Sequence, residues 1–524
     1  MKQSISTLFI IAAGYMLAGC TGSFDEMNRN PNAVTDVNPA LLLPKMQYEV
    51  INSNAYEYQR GENLFANQYC QWVANIASYF NSDRYEYNSE WVTTGYWSPY
   101  YTYVLKQFLD IRRMAETHPE YEEMYHIARI VAVIGAARTT DLFGDVPYSE
   151  ASRGIDKSKY DAQKDIYYDI LKELKEATEA LSAGFNVAQL KYGASDFFYN
   201  GDVDKWIRLG NSLRLRYALR IVFIDPGKAK EEGEAALSRP VMTDTDHNAC
   251  MITSIGDEGH PLFVISNWNE FRMSATLENA YKTLSTVPDP RMECYWGVTE
   301  ASVTAGMPAF KGVTNGLPAD RFPSPNTASS TCWGLLWAPT WNTHHVKPST
   351  FKVESPLYAM CYSEVCFLKA EAGIRGWAGA GNVQQNYENG IRASFTEARW
   401  GVDPSLYSTA NDETYIATSH VRWDEGADFE TKLGKIATQK WIALFPNGTE
   451  GWAEVRRTGY PKLTPVARSE DISINVANGE FIKKLRYVDN EREINRENAT
   501  SPNLNSDQGD GQNVRVWWDT GRYK

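Results

Sequence analysis

A chain of 524 residues with 65 acidic and 52 basic side chains carries a formal net charge of −13 at pH 7. This acidic excess argues against nucleic acid and anionic lipid headgroups as binding partners, because both repel a negatively charged surface. Aromatic residues reach 13 % of the chain, with 16 Trp and 31 Tyr, and these two side chains offer a flat apolar face with a polar edge that suits sugar or peptide ligands.

The first 20 residues predict a secretory signal followed directly by a lipidation site. Lys2 precedes an apolar run at 8–19, which is too short to span a bilayer, since a spanning helix needs about 20 apolar residues. The run ends in Leu-Ala-Gly-Cys at 17–20, the pattern that bacterial lipoprotein processing cleaves before an acylated cysteine. We therefore expect a signal peptide over 1–19 and a lipid anchor on Cys20. An ordinary signal peptide with an incidental cysteine is the alternative.

Helical periodicity dominates the first half of the mature chain. One helix is predicted to begin at Asn38 and Pro39, where a capping side chain precedes a first-turn proline. Later helices are predicted at about 59–77, 97–117, 120–142, 162–182 and 203–223. Helix pairs joined by short loops favour a stack of helical hairpins that is similar to tetratricopeptide repeats.

Between about 241 and 353 the composition changes to Gly, Pro, Asn, Ser and Thr with scattered aromatic residues. This composition predicts a long irregular portion without helices, and such a portion on a rigid scaffold is a usual place for binding residues. Helices are predicted again at about 357–375, 383–399 and 430–445, and a loop at about 490–513. Because no linker divides the chain, residues 20–524 are predicted to form a single unit, with its helical scaffold at about 38–240 and 354–460.

Motifs of catalysis, metal binding and cofactor binding are missing from the sequence. It contains no HExxH, Walker, GxSxG or GxGxxG pattern, so we predict no catalytic residue, no metal and no cofactor. A secreted glycoside hydrolase stays an alternative, because its paired carboxylates need no fixed sequence spacing. The acid-rich segment 141–147 is predicted to be a helix-ending turn at Gly144. For segment 507–513, calcium binding stays an alternative to a simple loop.

Several side chains are predicted to be structural. Four arginines on one predicted helix are expected to pair with acids of other helices, and the adjacent Arg456 and Arg457 are expected to be a packed pair. These four arginines are Arg208, Arg214, Arg216 and Arg220. Five tryptophans within helical patterns are assigned to the core, namely Trp72, Trp206, Trp377, Trp441 and Trp452. Buried free thiols are predicted at Cys70, Cys250, Cys294, Cys332, Cys361 and Cys366.

Short segments spread over nearly the whole chain carry a family resemblance. They are Asn-Arg-Asn-Pro-Asn at 28–32, Thr-Asp-Leu-Phe-Gly-Asp-Val-Pro-Tyr at 140–148, Trp-Ile-Arg-Leu-Gly-Asn-Ser-Leu at 206–213, Ile-Ala-Thr-Gln-Lys-Trp-Ile-Ala-Leu-Phe at 436–445, Glu-Gly-Trp at 450–452 and Arg-Arg-Thr-Gly-Tyr-Pro at 456–461. In order and spacing they resemble the SusD/RagB family of outer-membrane nutrient-binding lipoproteins.

The resemblance implies a mostly α, SusD-like fold in which a tetratricopeptide-like stack carries an irregular ligand-binding portion. It also implies a lipid anchor in the outer membrane, an outward-facing protein and a SusC-like TonB-dependent transporter as partner. The polar segment after Cys20 resembles the export tether of such surface lipoproteins. Some members of this group bind glycans and others bind peptides, so an oligosaccharide and a peptide ligand both stay open.

The chemistry of the side chains indicates the candidate ligand-binding residues, because the shared motifs are similar to scaffold elements. Two candidates come from the break between helices near 78–97, and five come from the irregular portion. They are Tyr79, Trp91, Trp268, Trp296, Trp333, Trp337 and Trp341. A neutral oligosaccharide is expected to stack on several of these rings, with hydroxyl partners from Asn267, Asn269, Glu270 and Asn342.

The anchor is tested by replacing the acylated residue. A Cys20→Ala variant should leave the membrane fraction, because its chain would carry no lipid. Fractionation followed by immunoblotting measures this, and retention of the variant in membranes after a high-salt wash would contradict the prediction.

Overall fold

The computed structural model describes residues 38–152, 157–252, 259–346 and 354–523, so the predicted signal and Cys20 lie outside the described residues. The fold is mostly helical, as predicted. The α-helices of eight or more residues in these ranges, labelled α1 to α11 in chain order, are Leu43–Val50, Lys106–Ala115, Glu122–Phe143, Gln163–Ala183, Val203–Arg220, Pro226–Leu237, Ala275–Thr283, Tyr362–Ile374, Val383–Ala398, Phe429–Ala443 and Gly448–Thr458.

Successive helices pack on one another in a tetratricopeptide-like stack. Helix α3 packs against α4, α4 against α5, and α5 against α6, while α8 packs against α9 and α10. The expected start signals are present, since the Asn38 side chain accepts the N–H of Ala40 at 2.9 Å. Helix α3 ends where Gly144 takes φ +80°, which confirms the predicted helix-ending turn.

The prediction of a helix over 59–77 is wrong in its second half. The helical path runs through Ala55–Tyr58, the wider π-turns of Gln59–Ala66 and Asn67–Tyr69, and then stops. Gln71 takes φ 59°, a left-handed conformation that breaks the helix, and an extended segment follows. Other wide π-turns, Thr93–Trp97 and Pro99–Leu105, continue the helix of Ser89–Val92 into α2.

Within the described ranges, six short strands, labelled β1 to β6 in chain order, form three pairs. They are Val73–Asn75, Val146–Pro147, Tyr160–Asp161, Ala249–Ile252, Phe271–Met273 and Pro356–Met360. The antiparallel pairs are β1 with β5, β2 with β3, and β4 with β6. Two of these pairs connect the portion predicted as irregular to the helical scaffold, because β4 and β5 lie within it.

The prediction that 241–353 holds no helix is wrong. Besides α7, this portion contains Pro261–Ser266, Pro290–Tyr295, Glu300–Thr304 and Pro339–His344. In three of them the proline that suggested a helix breaker stands at the first helical position, where its missing N–H costs nothing. The loop predicted at 490–513 likewise contains two short helices, Asp489–Ile494 and Arg496–Ala499.

One large hydrophobic core extends from Leu43 to Tyr523. It contains the five tryptophans assigned to the core, which are all buried. The six cysteines of the described ranges are free thiols, as predicted. Four of them are buried, while Cys250 and Cys361 are half-buried, so the burial prediction is wrong for these two.

A network of buried ion pairs joins early and late helices. From α5, Arg216 meets Glu364 of α8 at 2.7 Å, and Arg220 donates to both carboxylate oxygens of Glu450 in α11 at 2.6 Å. Arg457 of α11 in turn meets Glu371 of α8 at 2.7 and 2.6 Å. All of these side chains are buried.

The two other arginines of α5 also form ion pairs, but only one of these pairs joins two helices. Arg214 pairs with Glu232 of α6, as expected of an interhelical contact. Arg208 differs, because it pairs with Asp204 one turn earlier in its own helix at 2.6 Å.

Although burial disfavours a charged Glu454, the adjacent Arg457 and Lys440 hold the pKa of that carboxyl below its ordinary value.

The network is tested by removing one charge with little change in shape. Glu450→Gln should lower the free energy of unfolding by about 3 to 5 kcal/mol, because the buried Arg220 then loses the carboxylate that it hydrogen-bonds and keeps only the 3.5 Å contact with Asp141. Denaturant titration followed by circular dichroism measures it. The control Arg113→Gln removes an exposed pair with Asp110 and should cost less than about 1 kcal/mol. Equal effects of the two changes would contradict this account.

The prediction of a single unit over 20–524 is tested by limited proteolysis. Because the core and the ion pairs connect early and late helices, nicked chains should stay associated and unfold together. Size-exclusion chromatography and thermal unfolding of the nicked protein measure this. Recovery of two fragments that are each folded and stable alone would contradict it.

Candidate ligand-binding face

Pairing of β1 with β5 brings together the two segments that carry candidate residues. In this antiparallel ladder Val73 lies opposite Met273 and Asn75 opposite Phe271. One residue further, the N–H of Ile76 donates to the carbonyl of Glu270 at 3.0 Å. The break after β1 therefore runs beside the segment that precedes β5.

A carboxylate connects the side chains of these two segments. The Tyr79 hydroxyl donates to Glu270 Oε1 at 2.6 Å, and Gln59 Nε2 donates to Glu270 Oε2 at 2.7 Å. Tyr56, three residues before Gln59, places its ring 5.1 Å from the ring of Trp268. Tyr56 and Tyr79 are 66 % and 65 % exposed.

Two further rings extend this surface beyond Tyr79. Phe80 packs edge-on against Tyr79 at 4.7 Å, and Trp91 packs edge-on against Phe80 at 5.2 Å. Phe80 and Trp91 are half-buried. We call the surface formed by Tyr56, Tyr79, Phe80, Trp91, Trp268 and Glu270 the aromatic face.

The hydrogen bond between Tyr79 and Glu270 affects the pKa of both groups. The hydrogen bond to Glu270, together with burial, raises the pKa of Tyr79 to about 12, so the phenol keeps its proton at neutral pH. Burial raises the pKa of Glu270, while the hydrogen bond from Tyr79 opposes that rise. The face therefore presents a carboxylate whose orientation is fixed by two neutral donors.

Four candidate tryptophans lie elsewhere, and their expected exposure is wrong. Trp296, Trp333, Trp337 and Trp341 are 0 %, 5 %, 1 % and 5 % exposed. Trp296 packs on Phe445, and Trp341 Nε1 donates to a backbone carbonyl at 3.0 Å. They are buried because the turns and short helices of this portion pack on one another and on the scaffold, as Trp333 does on Trp341 and Trp296 on Phe445.

The four predicted polar partners differ in whether the protein already uses them and whether they lie on the aromatic face. Asn342 donates to three backbone carbonyls and is occupied structurally. Asn267 and Asn269 are exposed, although each already makes a hydrogen bond within the protein. Of the four predicted polar partners, only Glu270 makes a side-chain hydrogen bond with another residue of the aromatic face, which is Tyr79. Contact of any candidate with a ligand stays a prediction.

Sequence reasoning missed Tyr56. Its exposed ring belongs to the short helix Ala55–Tyr58, whose start is capped by Asn54 through the N–H of Tyr56 at 2.9 Å. An Asn followed by a helical segment is a known start signal, and it could have indicated this position.

The acid-rich segments considered for calcium are occupied by protein groups. Asp141 accepts from Trp518 Nε1 at 2.8 Å, and its other oxygen lies 3.5 Å from Arg220. Asp510 pairs with Lys484 and with Arg492, both at 2.8 Å. Over the ranges that the structure describes, no group of three or more His, Cys, Asp or Glu side chains is placed to hold a metal.

A large concavity with a volume of about 620 Å³ lies away from the aromatic face, between α2, α3 and α4. Its charged side chains are largely paired inside the protein, since Arg129 bridges Glu173 and Glu176 at 2.7 Å each. Its aromatic residues are buried or half-buried. The aromatic face is thus the better candidate for stacking a ligand.

None of the helices in the described ranges is long and apolar enough to cross a membrane. Residues 26–519 match a family described as SusD-like, the Susd and RagB outer membrane lipoproteins. No curated protein matches the chain.

Several solved structures are similar over almost their full length. A chitin-binding SusD homolog from Flavobacterium johnsoniae is 27 % identical with a TM-score of 0.77, over 92 % of this chain and 99 % of that one. A protein described as chitin-binding is 28 % identical with a TM-score of 0.77, over 92 % and 100 %. A SusD homolog from Bacteroides uniformis is 26 % identical with a TM-score of 0.76, over 92 % and 99 %.

Proposed function

The chain belongs to the SusD-like family of outer-membrane lipoproteins, and from this premise we propose that it captures an oligosaccharide on the aromatic face and delivers it to a SusC-like TonB-dependent transporter. In this proposal the protein is held by a lipid on Cys20 and faces outward from the outer membrane.

One observation carries the choice of ligand and site. Within the described ranges, Tyr56 and Tyr79 are the aromatic side chains with the greatest exposure, and both lie on this face. An exposed apolar ring costs free energy in water unless a ligand covers it. A pyranose ring presents C–H groups on one side that stack on such a ring, while its hydroxyls need acceptors such as Glu270.

The similar structures support a glycan over a peptide as the first ligand to test. Two of them, at 27 % and 28 % identity, are described as chitin-binding. An oligosaccharide of N-acetylglucosamine is therefore the first probe. A neutral glycan also meets no long-range repulsion from a chain with a net charge of −13.

Binding on this face should be weak, and weak binding suits transfer. Each stacked ring contributes about 1 to 3 kcal/mol, so two or three rings give micromolar to millimolar dissociation constants. A protein that hands its ligand to a transporter needs fast release, and affinity differences appear mainly in the dissociation rate.

We propose capture without turnover. Glycoside hydrolysis needs a pair of carboxyl groups on either side of the scissile bond. On the face, Glu270 is held by Tyr79 and Gln59, and it therefore serves as an acceptor for ligand hydroxyls. Release of shorter sugars from the probe by the purified protein would decide for a hydrolase instead.

The site is tested by removing its rings. Tyr79→Ala and Trp268→Ala should each weaken binding of N-acetylglucosamine hexasaccharide by about 1 to 3 kcal/mol, because each removes one stacking surface. The double variant should abolish measurable binding. Isothermal titration calorimetry measures the affinity, and far-UV circular dichroism checks that the helices are retained.

Tyr168→Ala is the matched control, because Tyr168 lies on α4 and is not part of the aromatic face. It should bind the hexasaccharide as the parent does. If the double variant binds the probe as tightly as the parent, the proposed site is wrong. If a screen finds that only peptides bind, the ligand class is wrong.

A further inference from the structure

We propose that Glu270 makes the aromatic face selective for uncharged glycans by excluding sugars that carry carboxylate or sulfate groups. The inference rests on the proposed glycan capture and adds to it a residue that selects the ligand class.

The position of Glu270 is the first support. It accepts hydrogen bonds from both sides of the face, from Tyr79 on one side and from Gln59 on the other. Trp268, two residues earlier, contacts Tyr56. A sugar that stacks on the exposed rings therefore has this carboxylate as its polar neighbour.

The second support is that, among the residues that the structure describes, no cation neutralises this carboxylate. Both of its side-chain donors are neutral, and within the described ranges no Lys, Arg or His lies in ion-pair distance of Glu270. Arg272, the nearest arginine in sequence, is buried and donates instead to Asn269 and to backbone carbonyls of Phe271 and Asn326.

Glu364 and Glu371 of the scaffold differ from Glu270, because each of these buried acids faces an arginine. A half-buried carboxylate without a countercharge costs folding free energy, so its presence on a ligand face points to a role in recognition. A glutamine of the same size could accept the Tyr79 hydrogen bond without that cost.

The chemistry of an ionised carboxylate explains the selection. It only accepts hydrogen bonds, and with one donor already on each oxygen it still has lone pairs for sugar hydroxyls or an acetamido N–H. An approaching uronate or sulfate ester brings a second anion to the same place. Repulsion between them is stronger here than in bulk water, because the site is partly desolvated.

The experiment compares two probes of equal length on the parent and on Glu270→Gln. The neutral probe is N-acetylglucosamine hexasaccharide, and the anionic probe is hyaluronan hexasaccharide, in which glucuronate alternates with N-acetylglucosamine. Glu270→Gln should bind the anionic probe at least about tenfold more tightly than the parent does, and it should not gain affinity for the neutral probe, because its amide oxygen accepts the same hydroxyl without the charge. Titration calorimetry at low salt measures both affinities.

Glu90→Gln is the matched control, because it removes one exposed negative charge next to Trp91 and so changes the net charge equally. It should leave both affinities near those of the parent. The expected gain for Glu270→Gln should also shrink at high salt, as repulsion between charges is screened. A variant that only lost structure would not gain affinity for a ligand.

Three results would overturn the inference. If both proteins bind the neutral probe but Glu270→Gln still rejects the anionic one, Glu270 does not select the ligand while the proposed capture stands. If Glu270→Gln loses both probes, Glu270 supplies affinity and not selectivity. If the parent binds neither these probes nor other glycans, the inference falls together with the proposed function.

Discussion

The fold depends on charged side chains that are buried in pairs between helices distant in sequence. Arg216 and Arg220 of α5 reach Glu364 of α8 and Glu450 of α11, and α11 returns to α8 through Arg457 and Glu371. Moving an ion out of water is expensive, so each of these groups is stable only where its partner is present. The pairs therefore permit one register of α5, α8 and α11 and disfavour shifted packings.

This constraint extends to the aromatic face through one tryptophan. Gly451 of α11 leaves room for Trp72, since an added Cβ would lie 2.4 Å from its ring. Trp72 also packs on Trp441 and Phe445, and it immediately precedes β1. Because β1 fixes the position of β5, the buried ion pairs determine indirectly where Tyr79 and Glu270 meet.

The sequence predicted what depends on local pattern and missed what depends on distant partners. Helices predicted at 120–142 and 162–182 are observed as Glu122–Phe143 and Gln163–Ala183, since long amphipathic segments with caps carry their own signal. Strand β1 has three residues and is extended because β5 lies beside it, which no local pattern shows.

The candidate site also shows this difference between what a local pattern predicts and what depends on distant partners. Tyr79 and Trp91 are predicted from a break between helices and Trp268 from the irregular portion, and in the structure all three lie on one face. Trp333 and Trp337 came from a similar composition but are buried. Exposure of a ring in such a segment depends on whether the segment packs on the scaffold, and composition alone does not contain that information.

The six free thiols have a consequence for how this chain matures after export. Proteins that work outside the cytoplasm often rely on covalent cross-links, whose formation needs an oxidant and a thiol oxidoreductase. Here the described cysteines are unlinked, and the cohesion of the fold comes from ion pairs and apolar packing. A fold without disulfides among its described cysteines needs no oxidant to form, so reducing agents should leave its stability unchanged.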